Sequence, residues 1–235
     1  MNDLIKVLDH GFVRLVDIMG DDLSIVRSAR VSHNAAWRAG ENTGSDDKLI
    51  RYLWRNRHST PFEAVTLTFE VKAPIFVFRQ WHRHRTWSYN EVSARYTELP
   101  EEFYVPKPGH YGAPSTVNKQ ARELLTITEG SGVVLEWEKY LHWENEQRVF
   151  MESAFCLYRR HLAEGMPREL ARVILPLSTY SHMFATVNLL NLFKFMTLRN
   201  TPDAQYEIRK YGEALLQLVR PVAPVAVSAW DSSHE

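Results

Sequence analysis

Fourteen residues, RHRTWSYNEVSARY from Arg83 to Tyr96, hold three arginines, a histidine, two serines and a single carboxylate, Glu91. Guanidinium groups pair bidentately with phosphate or carboxylate oxygens. Each such charge-assisted bond is worth about 1.5–3 kcal/mol, so two or three of them give roughly micromolar binding. Ser88, Ser93 and backbone N–H groups can complete a cradle, and Trp87, Tyr89 and Tyr96 add flat faces. The natural ligand is an anion with a planar ring. The plainer alternative, arginines solvated or paired with carboxylates elsewhere, stays open at this level. The chain has neither a G-x-G-x-x-G turn after a strand nor a G-x-x-x-x-G-K-[ST] loop, so side chains would have to hold any nucleotide phosphates.

Other reactive residues carry weaker signals. His82, His84 and the earlier His58 suggest a metal, yet no third ligand follows at matching spacing. Ser93 has no G-x-S-x-G elbow around it. Cys156, the one cysteine, lies in the apolar run AFCLY and reads as a small core residue; it excludes an internal disulfide. Arg172 in ARVILPL is either a snorkelling or ion-paired side chain or a binding residue. Asn188 and Arg199 stand eleven residues apart, about three helical turns, which would place both on one face of a continuous helix. Arg199 could equally cap the last carbonyls of that helix.

The elements that must position these residues follow from hydrophobic periodicity. GFVRLVDIM alternates as a half-buried strand, and AVTLTFEVKA does so more clearly, with Leu67, Phe69 and Val71 on one face. MGDDLSIVRSARVS predicts a turn and a helix starting at Asp21 or Asp22, and DDKLIRYLWRNRHSTPFE a second helix opened by Asp46 and Asp47. Pro74 suits the start of a short buried helix through about Trp81, so the basic stretch begins where a helix ends against the core. KPGHYGAPS predicts a loop. A long helix is expected from about Gly132 to Ala163, a further one from Pro167 until Pro176, and an apolar one through YSHMFATVNLLNLFKFMTLR. Thr201-Pro202 would then cap the helix DAQYEIRKYGEALLQLVR, which stops at Pro221. Strands early and helices late predict an α+β chain forming one domain over residues 1–235, with about 221–235 as a C-terminal tail.

Composition narrows the function classes. Lys+Arg and Asp+Glu balance at 28 each, against binding to nucleic acid by overall charge. The N-terminus lacks a secretion signal and no apolar run approaches the roughly 20 residues of a membrane span, so a cytoplasmic protein without membrane contact is expected.

The motifs resemble those of the flavin-dependent thymidylate synthases. Arg83-His84-Arg85, followed by seven residues and Ser93, is similar to that family's signature. HSTPFE resembles its H-x-T-P-F-E segment, FRQWHRHR its R-Q-W-x-R-H-R lead-in, SYNEVSARY its S-x-N-E-x-S-x-R-Y continuation and ARVILPL its A-R-x-x-L-P block. TVN, LR and AQYE follow in the family's order. The likeness runs from about Val7 to Tyr211 and thins between about Pro100 and Gly165.

The resemblance implies a mixed central β-sheet with a cluster of α-helices, assembled as a homotetramer with sites shared between subunits. It implies that FAD meets Ser32, His58, Thr60, Arg83, His84, Arg85, Glu91 and Asn188. The dUMP side would comprise Gln80, Glu91, Val92, Ser93, Ala94, Arg95 and Arg172, with Arg199 as the catalytic residue against the uracil ring. 5,10-Methylenetetrahydrofolate would supply the carbon and FAD reduced by NADPH the hydride, with no cysteine nucleophile and no metal. Three positions depart from the family pattern: Lys194 replaces an asparagine, Leu190 a common arginine and Asp203 a common histidine. Two other readings compete, an FAD-binding homologue without activity and a single-stranded nucleic-acid binder that uses Arg, Trp and Tyr as a stacking platform.

Overall fold

The computed structural model describes residues 4–116, 122–124 and 133–233. Five strands form one sheet: β1 (Leu4–Val7), β2 (Gly11–Met19), β3 (Thr66–Pro74), β4 (Ser88–Glu91) and β7 (Tyr180–Asn188), in the order β1-β2-β3-β7-β4. Every pairing in it is antiparallel. The α+β class therefore holds, but the central sheet is antiparallel throughout rather than mixed. β5 (Gly112–Pro114) and β6 (Arg122–Leu124) make a separate ribbon where a loop is expected from KPGHYGAPS.

Alternation decides which face of the sheet is covered. Leu67, Phe69, Val71 and Ala73 of β3 and Met183, Ala185 and Val187 of β7 are buried, and pairs such as Phe69 with Ala185 and Val71 with Met183 sit opposite one another. The other face is polar: Thr68 and Thr186 meet hydroxyl to hydroxyl at 3.0 Å, and Glu70 takes both Arg14 and His182. Helices cover the apolar face: α1 (Asp22–Arg30), α2 (Thr43–Arg55), α3 (Ile75–Trp81), α6 (Leu189–Arg199), α7 (Tyr206–Val219) and α8 (Pro224–Asp231). α4 (Val133–Ala163) and the single turn α5 (Arg168–Ala171) build a second, smaller cluster around Phe155, Tyr158 and Ala171.

Local chemistry moves several boundaries. α2 starts at Thr43, because Asn42 accepts from Ser45 N at 3.0 Å. Asp46 is instead drawn inward, accepting from Gly40 N at 2.7 Å and pairing with Arg30 at 2.6 Å. Gln205, not Thr201-Pro202, precedes α7. Residues 224–231, expected within a tail, fold as α8 with Ala226, Val227 and Trp230 in the core; the last two residues of that stretch lie outside the described ones. Cys156 is exposed, contrary to the core expectation.

The largest correction concerns residues 180–199. Tyr180–Asn188 is a strand and only Leu189–Arg199 a helix. The signal for the switch is Asn188, whose side chain accepts from Asn191 N at 2.9 Å and caps the helix. Asn188 and Arg199 thus lie at opposite ends of α6, about 16 Å apart at 1.5 Å per residue, the first as its N-cap and the second as its last residue.

Candidate active site

α3 ends against the core through Trp81, fully buried and 4.9 Å from the Phe195 ring of α6. The chain then turns sharply: His84 N donates to Trp81 O at 2.9 Å, and the Tyr89 hydroxyl donates to both Trp81 O and His84 O at 3.1 and 2.9 Å. Burial pushes the Tyr89 hydroxyl well above its usual range, so it stays a donor. The expectation that a core-anchored helix steadies the basic stretch is met at His84, while Arg83 and Arg85 point to solvent.

His84 and Arg199 form the centre of this region. Arg199 Nε–H donates to His84 Nε2 at 3.1 Å, and its Nη2 reaches the Gln80 carbonyl at 3.4 Å. His84 lies 4.7 Å from the Phe195 ring. Burial, with the Arg199 charge second, lowers the His84 pKa to about 4, so the ring is neutral at pH 7 and its Nε2 is an acceptor. Burial also lowers the Arg199 pKa. A guanidinium is held here by a neutral partner, with its charge uncancelled. His84 Nε2 is thus engaged by Arg199, and no group of three or more metal-binding side chains forms among the described residues.

Glu91 ends β4, and Val92, Ser93, Ala94 and Arg95 follow it. Glu91 accepts from Ser181 Oγ at 2.5 Å, and Val92 N donates to His182 O at 2.8 Å. Ser93 then makes a turn, its carbonyl accepting from Tyr96 N and Thr97 N at 3.0 and 3.1 Å. Ala94 is buried. α5 docks on this turn through Arg95–Glu169 at 3.2 Å and Arg168–Glu98 at 3.6 Å, and Arg172 comes immediately after α5. Both partners of the Arg95–Glu169 pair are about half exposed, so the pair is weak and a phosphate can displace it.

Ser32, His58, Thr60 and Asn188 are elsewhere. Ser32 sits in the turn after α1, His58 and Thr60 just after α2, and Asn188 at the start of α6. Asn188 pairs with Thr66, and Leu189 N donates to Val65 O at 2.9 Å, which ties this end of α6 to the Thr60 segment. One chain thus brings Gln80, His84 and Arg199 together at the C-terminal end of α6, leaves Asn188 and the His58–Thr60 segment toward its N-terminal end, and sets Ser32 apart in the turn after α1.

A groove of about 750 Å³ opens near that second group, lined by Arg51, Arg55, Arg57 and Lys194 with Trp54 and Leu190. No acidic residue lines it among the described residues. Arg51 donates to Ser228 Oγ at 3.1 Å and Lys194 to Asn191 Oδ1 at 3.3 Å, both neutral partners. Arg57 adopts a left-handed backbone, φ 59°, which turns the chain sharply just before His58. These arginines lie outside the family motifs; their signal in the sequence is RYLWRNR, three arginines in seven residues with no acid.

Comparison with known proteins identifies relatives along nearly the whole chain. The profile described as thymidylate synthase complementing protein matches residues 14–225. The flavin-dependent thymidylate synthase of Thermus thermophilus is 45% identical over 230 residues, 97% of this chain and 78% of that protein. The protein of the same name from Treponema pallidum is 44% identical over 231 residues, covering 98% and 72%. Among solved structures, the UMP/dUMP methylase PolB from Streptomyces cacaoi, bound with 5-Br dUMP, overlays with a TM-score of 0.83 at 36% identity over 97% of each chain.

Proposed function

The chain belongs to the thymidylate synthase complementing protein family, that of the flavin-dependent thymidylate synthases, and from that premise we propose that it methylates dUMP to dTMP. The observation that carries the reading is the His84–Arg199 pair. To attack a methylene carbon, C5 of uracil must gain electron density, and negative charge then spreads over the N3/O4 side of the ring. A directed guanidinium beside that edge stabilises the charge, the more so where water is excluded. Because His84 is neutral, it aligns Arg199 without consuming its charge. Arg95, Ser93 and Arg172 suit the nucleotide phosphate, and Gln80 a further polar group of dUMP.

The donor set fits FAD. A dinucleotide carries two adjoining phosphates, and the acid-free groove of Arg51, Arg55, Arg57 and Lys194 meets that charge beside the His58–Thr60 segment. Lys194 restores on α6 a cation that Leu190 lacks. When bound and reduced by NADPH, FAD supplies the hydride, and 5,10-methylenetetrahydrofolate supplies the carbon. The protein binds, aligns and polarises.

We read the whole chain as one domain that acts as a homotetramer with shared sites, in the cytoplasm. Two features support the sharing. The residues assigned to the flavin lie toward opposite ends of α6 within one chain, and Leu170, Val173 and Leu177 stand 57, 74 and 62% exposed around Arg172. No described helix is long and apolar enough to cross a membrane.

The test is direct. A purified preparation should be yellow, absorbing near roughly 450 nm from bound flavin, and should form dTMP from dUMP, methylenetetrahydrofolate and NADPH. It should also complement a thymidine-requiring strain. A yellow protein that makes no dTMP would favour the inactive homologue. A colourless one with salt-dependent oligonucleotide affinity would favour the nucleic-acid binder.

A further inference from the structure

Beyond Arg199, Gln80 connects this region to a buried carboxylate. Glu207 on α7 is 1% exposed, and three donors converge on it: the Tyr104 hydroxyl at 3.1 Å, Arg122 Nη2 at 2.8 Å and Gln205 Nε2 at 2.8 Å. Burial and the Glu207 charge push the Tyr104 hydroxyl far above its ordinary range, which keeps it a donor. With all three partners donating, Glu207 can only accept. Gln205 must then turn its amide nitrogen toward Glu207, which leaves its oxygen facing Gln80. That oxygen accepts from Gln80 Nε2 at 2.5 Å. With one N–H of Gln80 held by Gln205, the Gln80 amide cannot flip, and its oxygen stays on the side away from Gln205. The backbone carbonyl of the same residue holds the Arg199 guanidinium at 3.4 Å.

We propose that Glu207 and Gln205 form a relay that sets the polarity of Gln80, so that its side chain offers the nucleotide an acceptor and rejects an acceptor there. Gln205 and Glu207 are positioning residues: they act through Gln80, and the inference rests on reading Gln80 as a dUMP-binding residue. The group it takes is a hydrogen-bond donor of dUMP, either the uracil N3–H or the sugar 3′-hydroxyl. An amide free to flip would satisfy both polarities and discriminate neither.

The test uses the flavin-loaded enzyme and two variants. Gln205→Met keeps the chain length; Gln205 is exposed and makes no cap bond, and Tyr104 and Arg122 still donate to Glu207 in the variant. Glu207→Gln keeps the shape but lets the relay invert. Calorimetric titration should show dUMP binding weakened about three- to tenfold in each, the scale of one hydrogen bond, with both variants still unfolding in one cooperative transition above the titration temperature. Titrations with 3-methyl-dUMP and 2′,3′-dideoxyuridine monophosphate identify the donor. The analogue lacking it binds wild type and Gln205→Met equally. Variants that bind dUMP as wild type does would overturn the relay, and so would a loss that neither analogue removes. Wild type failing to bind dUMP at all would overturn the functional reading instead.

Discussion

At its C-terminal end, α6 presents one guanidinium whose direction is fixed: Arg199 is anchored by a neutral histidine at 3.1 Å and a backbone carbonyl at 3.4 Å, above the buried Phe195 and Trp81. Along α6 from Leu190 to Thr197, four cations line an open groove, each reaching it on a long flexible side chain. The two ends face different physical demands. Charge developing on a ring edge during reaction is stabilised only by a dipole or cation already aimed at it. A diphosphate needs positive charge nearby and tolerates its arriving from several directions, because attraction between exposed charges varies gently with distance. Leu190 and Lys194 both line the groove, where Arg51, Arg55 and Arg57 supply charge in parallel, whereas among the described residues no second guanidinium is held by His84 as Arg199 is.

The sharpest way to break this contrast is Arg199→Ala. Removing one preorganised donor costs about 10²–10³ in turnover, and here the whole cation goes, so dTMP formation should fall by at least that factor. Flavin absorbance should be retained, since the groove is untouched. A rate within tenfold of wild type would remove the directed cation from the argument.

How much of this contrast was legible in the sequence depends on the length scale. The β3 face of Leu67, Phe69 and Val71 follows from alternation, and the end of α3 at Trp81 from three-residue spacing. The join at Asn188 is hidden because apolar residues recur on both sides of it with no Gly or Pro between, so a change of period from two to 3.6 leaves only the cap residue to mark it. The motifs name Arg199 and His84 separately. Their hydrogen bond spans 115 positions and belongs to tertiary packing. The groove is similarly assembled from α2, α6 and α8, and Lys194 reads as a bare departure until Arg51, Arg55 and Arg57 are seen beside it.

The cofactor end should respond in smaller, graded steps. Lys194→Ala should weaken flavin retention about threefold and Lys194→Glu about tenfold, with losses growing at low salt as for any exposed charge; flavin fluorescence on dilution measures both. Complete loss of flavin from Lys194→Ala alone would mean that the groove is as direction-dependent as the Arg199 end.

Acid should act on the Arg199 end first. The His84 ring takes its proton near 6.5 in the unfolded chain and near 4 in the folded one. As pH falls through that window the unfolded state binds the proton first, so the stability contributed by neutral His84 is complete above about 6.5 and is lost toward about 4. Protonation also removes the acceptor for Arg199 Nε–H. Melting temperatures between pH 7 and 4.5 should therefore fall more steeply for wild type than for His84→Gln, which cannot titrate. Parallel curves would place the acid sensitivity elsewhere.

The smallest expected effect is none. α4 turns Phe155 and Tyr158 inward, and Cys156, about 100° round the helix from Phe155, faces solvent. It touches neither the core nor either end of α6, so Cys156→Ser should leave turnover and melting temperature within error of wild type. The substitution still decides something, because a directed cation and a covalent thiol are alternative ways to make C5 of uracil nucleophilic. If Cys156→Ser kept its fold and lost dTMP formation, a sulfur would be taking part, and the electronic demand that singles out Arg199 would disappear.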